Sequence, residues 1–256
     1  MLEQYLNERR KQREILLMTH IVLGHPDFDT SLRLVERMVL AGVELIELQI
    51  PFSEPMADGP LILRANQEAL SAGSSVQRCF ELAAEVARRF DIPFLFMSYY
   101  NVLFKQGVAK FVSRMREAGL RGAIVPDVPP EEGEEYLSSM REHAMAPIFI
   151  YSPNTGSERM ETIAQHGGGF IYCVARKGVT GQSTQFSGEL SGYLARARAA
   201  TQLPLAVGFG VKERSDVDFL RGKADIAVVG SETLRVLEHG GLSAITPFLS
   251  SLREAP

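Results

Sequence analysis

Short apolar runs recur along the chain, each followed by a turn and then by a stretch whose apolar residues return every three or four positions. The first run, Leu16 to Val22, reads as a strand, and the helix after it is opened by Asp29 or Thr30 and closed by Gly42. The second, Leu45 to Ile50, leads through a Pro/Gly loop into two helix-period stretches, Leu61 to Ala72 and Val76 to Phe90. Further strand-like runs are Pro93 to Tyr99, Gly122 to Val125, Pro147 to Ile150, Phe170 to Val174, Leu203 to Val207 and Ile226 to Val229. Helix patterns lie between them at Val108 to Ala118, from Glu131-Glu132 to near His143, at Ser157 to His166 and at Ser191 to Ala200. The acidic pair suits a helix N-terminus. Strand-then-helix units at roughly thirty-residue spacing, the size of one βαβ crossover, predict an α/β fold, a closed (β/α)8 TIM barrel.

The competing architecture is an open doubly wound sheet, which usually carries a GxGxxG loop after its first strand. Here that loop is Leu23-Gly24-His25-Pro26-Asp27, which does not match. No linker-like shift in composition divides the chain, so residues 1–256 read as a single barrel domain, with the amphipathic Met1 to Arg13 as an extra N-terminal helix.

Composition narrows the partners. A 45% hydrophobic content over 256 residues is enough for a sizeable core without staples. A net charge of -4 and the lack of a basic stripe argue against nucleic acid. Cys79 and Cys173 are the two cysteines, one in a helical and one in a strand-like stretch with no CxxC motif, and they suit reduced thiols. Met1 to Arg13 lacks the order of a signal peptide, and no apolar run approaches membrane-spanning length. A soluble, cytoplasmic protein with no membrane partner is expected.

The densest chemistry lies in Glu47-Leu48-Gln49-Ile50-Pro51-Phe52-Ser53-Glu54-Pro55-Met56-Ala57-Asp58-Gly59-Pro60. Two-residue alternation puts Leu45, Glu47 and Gln49 on one strand face, with Ile46, Leu48 and Ile50 on the other. A carboxylate on a mostly buried strand must be paired, hydrogen-bonded or held with a raised pKa. Glu47 is therefore a catalytic candidate or a structural glutamate bonded to loop amides. Asp58, eleven positions on, leans over the barrel mouth or makes an Asx turn before Gly59. The last three strands are followed by Gly178-Val179-Thr180-Gly181, Gly208-Phe209-Gly210 and Gly230-Ser231. These loops adjoin at the C-terminal face of a barrel, where glycine amides and a helix N-terminus bind phosphate without a basic side chain. Tyr99-Tyr100-Asn101, Asp127 and Tyr172 are compatible with either site or packing roles. The five histidines show no HxxxH or HExxH spacing, so no metal site is expected, and no GxSxG elbow occurs.

Taken together, Leu23-Gly24, Glu47-Leu48, Pro51-Phe52-Ser53, Pro55-Met56-Ala57-Asp58-Gly59-Pro60, Tyr99-Tyr100-Asn101, Val125-Pro126-Asp127, Arg176 through Gly181, Gly208-Phe209-Gly210 and Gly230-Ser231 closely resemble the tryptophan synthase alpha chain family. The resemblance covers nearly the whole chain. It implies a (β/α)8 barrel lyase that cleaves indole-3-glycerol phosphate to indole and glyceraldehyde 3-phosphate and passes indole to a beta chain. Pyridoxal phosphate would belong to that partner only, within an alpha-beta-beta-alpha heterotetramer. By the same resemblance Glu47 is the general acid/base and Asp58 accepts from the indole N–H. Gly181, Gly210, Gly230 and Ser231 contact phosphate, Thr180 closes toward Asp58, and Ile150 and Tyr172 wall the indole pocket.

Several positions depart from the family pattern. His20 stands where an aromatic pocket residue is usual, His25 where the first loop usually has aspartate, and Gln49 where glycine is usual. Glu54 replaces an aspartate in the loop facing the beta chain, and Glu232 follows Gly230-Ser231 in place of a small residue. Gln49 shares a face with Glu47, so it either crowds the site or hydrogen-bonds to the glutamate. Glu232 opposes phosphate unless its side chain turns into solvent. The alternative to an active lyase is a weakened alpha-like subunit that binds and activates a beta chain.

Overall fold

Strand pairing runs in chain order and closes on itself. The computed structural model describes residues 1–175, 188–208 and 210–253. The strands are β1 (Leu16–Val22), β2 (Leu45–Gln49), β3 (Phe94–Met97), β4 (Gly122–Ile124), β5 (Ala146–Tyr151), β6 (Ile171–Val174), β7 (Leu205–Gly208) and β8 (Ile226–Val229). All pair in parallel with their neighbours, and β1 pairs with β8, making a closed barrel. Around it lie α1 (Leu2–Arg10), α2 (Phe28–Leu40), α3 (Pro60–Ser71), α4 (Val76–Arg89), α5 (Tyr100–Gln106), α6 (Val108–Glu117), α7 (Glu134–Glu142), α8 (Ser157–His166), α9 (Gly188–Ala200), α10 (Arg214–Leu220) and α11 (Ser231–Ser251). Within α11, Gly241 at φ 63° breaks the helical path.

Alternation along the strands produces two cores. Leu16, Met18, Leu45, Leu95, Met97, Ile124, Ile148, Phe170, Tyr172, Ala206, Ile226 and Val228 pack together inside the barrel. The intervening residues, such as Leu17, Ile46, Leu48, Phe96 and Val207, face the helices. Between α4, β3 and α6, Phe80 packs edge-on against Phe96 and Phe111, with centroids 5.0 and 5.1 Å away. The interior is therefore packed below and polar only at its upper end, where His20, Glu47 and Gln49 continue the inward faces of β1 and β2.

The expected N-terminal helix is α1, and it plugs the lower end of the barrel. Leu2 and Leu6 join the interior cluster, and Gly169, at φ 75°, admits Leu2 where a Cβ would lie 2.7 Å from its Cδ2.

Several expected boundaries need correction. α2 is capped by Asp27, whose Oδ1 accepts from Thr30 N at 2.7 Å, so the helix opens before Asp29. Glu131-Glu132 do not open α7; they lie in a 3-10 turn, Pro130–Glu132, and Gly133 precedes the helix. There Glu131 is held by Arg159. The third predicted strand stops at Met97 rather than Tyr99; Tyr99 is instead the N-cap of α5, where Asp127 Oδ1 accepts from Tyr100 N at 2.8 Å.

Candidate active site

Glu47 reaches the barrel mouth because β2 places it one inward step above Leu45, in register with His20 of β1 and Leu95 of β3. Only 4% of the residue is exposed, and His20, also 4% exposed, lies beside it with Nδ1 3.0 Å from Glu47 Oε1. Glu47 Oε2 and His20 Nε2 are buried without a hydrogen-bond partner. The expected pairing of Glu47 thus comes from a neighbouring strand rather than from loop amides. Burial is the largest influence on His20 and favours its neutral form. The charge and hydrogen bond of Glu47, with help from Asp58 and Gln49, outweigh it and raise the imidazole pKa above its ordinary value.

Asp58 lies in the loop between β2 and α3. Its Oδ2 accepts from Gln49 Nε2 at 2.7 Å and from the Tyr99 hydroxyl at 3.2 Å. Burial raises the Asp58 pKa, against the pull of His20 and the two hydrogen bonds. Gln49 therefore bonds to Asp58 rather than to Glu47, its own Oε1 being buried without a hydrogen-bond partner. Tyr99 also accepts from Ala57 N at 3.0 Å and stacks on Phe52, 5.1 Å between centroids. Asn66 on α3 completes the support, its Oδ1 accepting from Phe52 N at 2.9 Å. Neither the Tyr99 bonds nor Asn66 were anticipated as site features. An asparagine on the buried face of an otherwise apolar helix was the available signal for the latter.

Ile150 and Tyr172 are register partners on β5 and β6 and both belong to the interior cluster, so the structure brings them together near the mouth. Burial, followed by the charges of Glu47 and Asp58, raises the Tyr172 pKa and keeps its phenol neutral. Gly208 on β7 makes room for this ring: a Cβ there would lie 2.6 Å from Tyr172 Cζ. That glycine serves packing inside the barrel as well as the loop that follows.

Gly230 caps α11 beside β1, where a Cβ would be 3.9 Å from His20 Cβ, and Ser231 begins the helix. Gly210 has φ 133°, a conformation that suits glycine. These residues follow the paired strands β7 and β8 at the C-terminal end. Thr180 and Gly181 lie outside the described residues. Glu232 does not escape into solvent; it is partly buried and paired with Arg235 one turn along α11. His25 is buried in the first loop with Nδ1 3.2 Å from Glu68 Oε2 of α3, and burial lowers its pKa. Among the described residues, no group of three or more His, Cys, Asp or Glu is placed to hold a metal ion.

The arrangement offers one buried carboxylate with a free oxygen for proton transfer, a second carboxylate held by an amide and a phenol, and anion-compatible loops on the opposite strands. A family model described as tryptophan synthase alpha chain matches residues 6–246. The tryptophan synthase alpha chain of Desulforapulum autotrophicum is 63% identical over 252 residues, covering 98% of this chain and all of that one. A solved tryptophan synthase structure from Mycobacterium tuberculosis superposes with a TM-score of 0.91 at 28% identity, covering 98% and 96% of the two chains. A structure of the tryptophan synthase α2β2 complex from Pyrococcus furiosus gives a TM-score of 0.86 at 30% identity, over 93% and 97%.

Proposed function

Since the chain belongs to the tryptophan synthase alpha chain family and is the carbon–carbon lyase that cleaves indole-3-glycerol phosphate to indole and glyceraldehyde 3-phosphate in L-tryptophan biosynthesis, we propose how its residues divide that reaction. Glu47 is the acid/base. Its Oε2 gives a proton to indole C3, which makes the bond from C3 to the carbinol carbon labile, and a carboxylate oxygen takes the carbinol hydroxyl proton. The bond's electron pair returns to the ring as the aldehyde forms. One proton is given and one taken, so the residue ends as it began and the chemistry needs no redox or carbonyl cofactor of its own.

Asp58 accepts from the indole N–H and stabilises the positive charge that develops there. Tyr99 and Gln49 hold it in place. Ile150 and Tyr172 form the wall against which the indole lies. Gly210, Gly230, Ser231 and Gly181 take the phosphate, and the positive end of α11 favours the anion. Thr180 is the residue that the family resemblance pairs with Asp58. The barrel acts as a single domain, supported by its closure from β1 to β8.

Because the Pyrococcus furiosus relative forms an α2β2 complex, a beta chain is the proposed partner, in an alpha-beta-beta-alpha heterotetramer with pyridoxal phosphate on the beta side only. Met56 and Phe104, 75% and 68% exposed on segments that follow β2 and β3, supply apolar surface at the same end of the barrel. The exposed Glu54 lies on the same loop as Met56. A cytoplasmic location is consistent with the buried free thiols of Cys79 and Cys173, and none of the described helices is long and apolar enough to cross a membrane.

The observation that carries the residue roles is the buried, unpartnered Glu47 Oε2 at the barrel mouth, with Asp58 held in the loop above by Gln49 and Tyr99. Glu47→Gln is expected to keep substrate binding while lowering indole release by roughly two to four orders of magnitude. Wild-type turnover in that variant rules out the assignment. Indole release by the chain alone, then with a beta chain, tests the partnership: slow turnover that rises strongly on mixing is the expected result.

A further inference from the structure

His20 is an ionisable side chain in a position that the lyase chemistry described above does not use. It is buried, in register with Glu47 across the β1–β2 pair, and 3.0 Å from one carboxylate oxygen through Nδ1. The other carboxylate oxygen is left without a partner. A glutamate side chain has three rotatable bonds, and nothing else described bonds to the Glu47 carboxylate. Its direction in the cavity therefore depends on this contact.

We propose that His20 is a positioning residue for Glu47: Nδ1–H donates to Oε1, fixes the carboxylate, and leaves Oε2 as the oxygen that exchanges protons with substrate. This rests on Glu47 being the acid/base. Gln49, adjacent on the inward face, extends the arrangement to Asp58, so the two carboxylates are oriented by neighbours on β1 and β2 rather than by solvent.

The groups that face His20 define its pH behaviour. Glu47 and Gln49 lie on β2, Asp58 lies in the loop above, and Tyr172 lies across the barrel within the field of both carboxylates. On the β8 side stands the Gly230 backbone, and beyond it Glu232 is already paired with Arg235. The negative charges on the β2 side stabilise the imidazolium beyond the usual histidine range, and a charged donor makes the stronger hydrogen bond, so on the alkaline side turnover falls partway, to the level that a neutral Nδ1–H donor sustains.

The test is the pH profile of kcat and KM for indole release by the complex with a beta chain, for wild type, His20→Phe, His20→Asn and Glu47→Gln. His20→Phe is expected to lower kcat by roughly 10-fold to 100-fold with little change in KM, and to abolish the alkaline limb assigned to the imidazole. His20→Asn, whose amide can donate from the place of Nδ1, is expected to recover most of kcat without that limb. A wild-type kcat and pH profile in His20→Phe, or a change in KM alone, overturns the proposal. Should His20→Phe fail to fold, the His20 imidazole can be titrated by NMR in wild type and in Glu47→Gln. Removal of the Glu47 charge is expected to move that titration to lower pH, and an unmoved titration overturns the pairing. An active Glu47→Gln variant instead defeats the acid/base assignment itself, which separates the two failures.

Discussion

At the scale of single residues, the site depends on close approaches that tolerate little added volume. Tyr172 lies against the backbone of Gly208, and a methyl group there would fall within 2.6 Å of Cζ. Gly208→Ala therefore forces the ring away from its place in the barrel interior, at a cost of about 1–3 kcal/mol, the range for overpacking a core. Urea unfolding is expected to show that loss, and steady-state kinetics a raised KM, because the displaced phenol enters the space assigned to indole. In a Tyr172→Ala background the stability cost of the added methyl should disappear, since its collision partner is gone. A cost that persists there would place the collision elsewhere. The same sensitivity explains why Gln49 is tolerated beside Glu47. Its amide is directed to Asp58 at 2.7 Å, so a side chain longer than the family's usual glycine becomes a bond rather than an obstruction.

At the scale of elements, α2 shows how a short polar contact sets a boundary. Asp27 accepts from both Thr30 N and Thr30 Oγ1, at 2.7 and 2.9 Å. Asp27→Ala is expected to cost about 1 kcal/mol in denaturant unfolding at neutral pH. The Thr30 backbone N–H is the main reason that the Asp27 pKa is lowered, so the cap's contribution is present above the unfolded carboxylate value and lost as pH falls through the folded one. The difference between variant and wild type should shrink below about pH 4. The N-terminal capping signal was visible in the sequence, but several Asp/Thr positions competed for it. Strands β1 and β8 and helix α8 were legible to the residue because apolar periodicity and punctuation agree there. α5 and α10, seven residues each, were not. α5 follows β3 so closely that its aromatic start reads as strand, and α10 buries only Val217 and Leu220. The placement of Glu47 and Asp58 at the barrel mouth was legible from strand alternation and the loop between them. The roles of Tyr99, Asn66 and His20 in holding them depend on contacts between elements that local periodicity does not encode.

At the scale of the molecule, the polar groups that serve chemistry and those that hold the fold lie at opposite ends of the barrel. The lower end is closed around Glu44, which has no exposed surface. Its Oε2 accepts from Leu17 N at 2.8 Å, and Arg253 grips both carboxylate oxygens, at 3.1 and 3.0 Å, from beyond the end of α11. Arg13 stands 3.2 Å from Oε1, and the Glu44 carbonyl accepts from the Tyr5 hydroxyl at 3.0 Å. One residue, through its carboxylate and its carbonyl, thus joins the N-terminal helix, the first two strands and the segment after the C-terminal helix. Glu44→Gln removes the charge while nearly keeping the volume, and it leaves the Arg253 guanidinium facing an amide. Breaking a buried pair in this way costs roughly 3–5 kcal/mol, and the lower end applies here because Arg13 is half exposed and returns to water. For a chain of this length about 3 kcal/mol corresponds to a fall in Tm of roughly 6–12 °C by calorimetry. Indole release per folded molecule should stay within about twofold of wild type, because the barrel core separates Glu44 from Glu47 and Asp58. A large loss of kcat in the folded fraction would show that the lower end is mechanically coupled to the mouth, and that the two ends do not divide stability from chemistry.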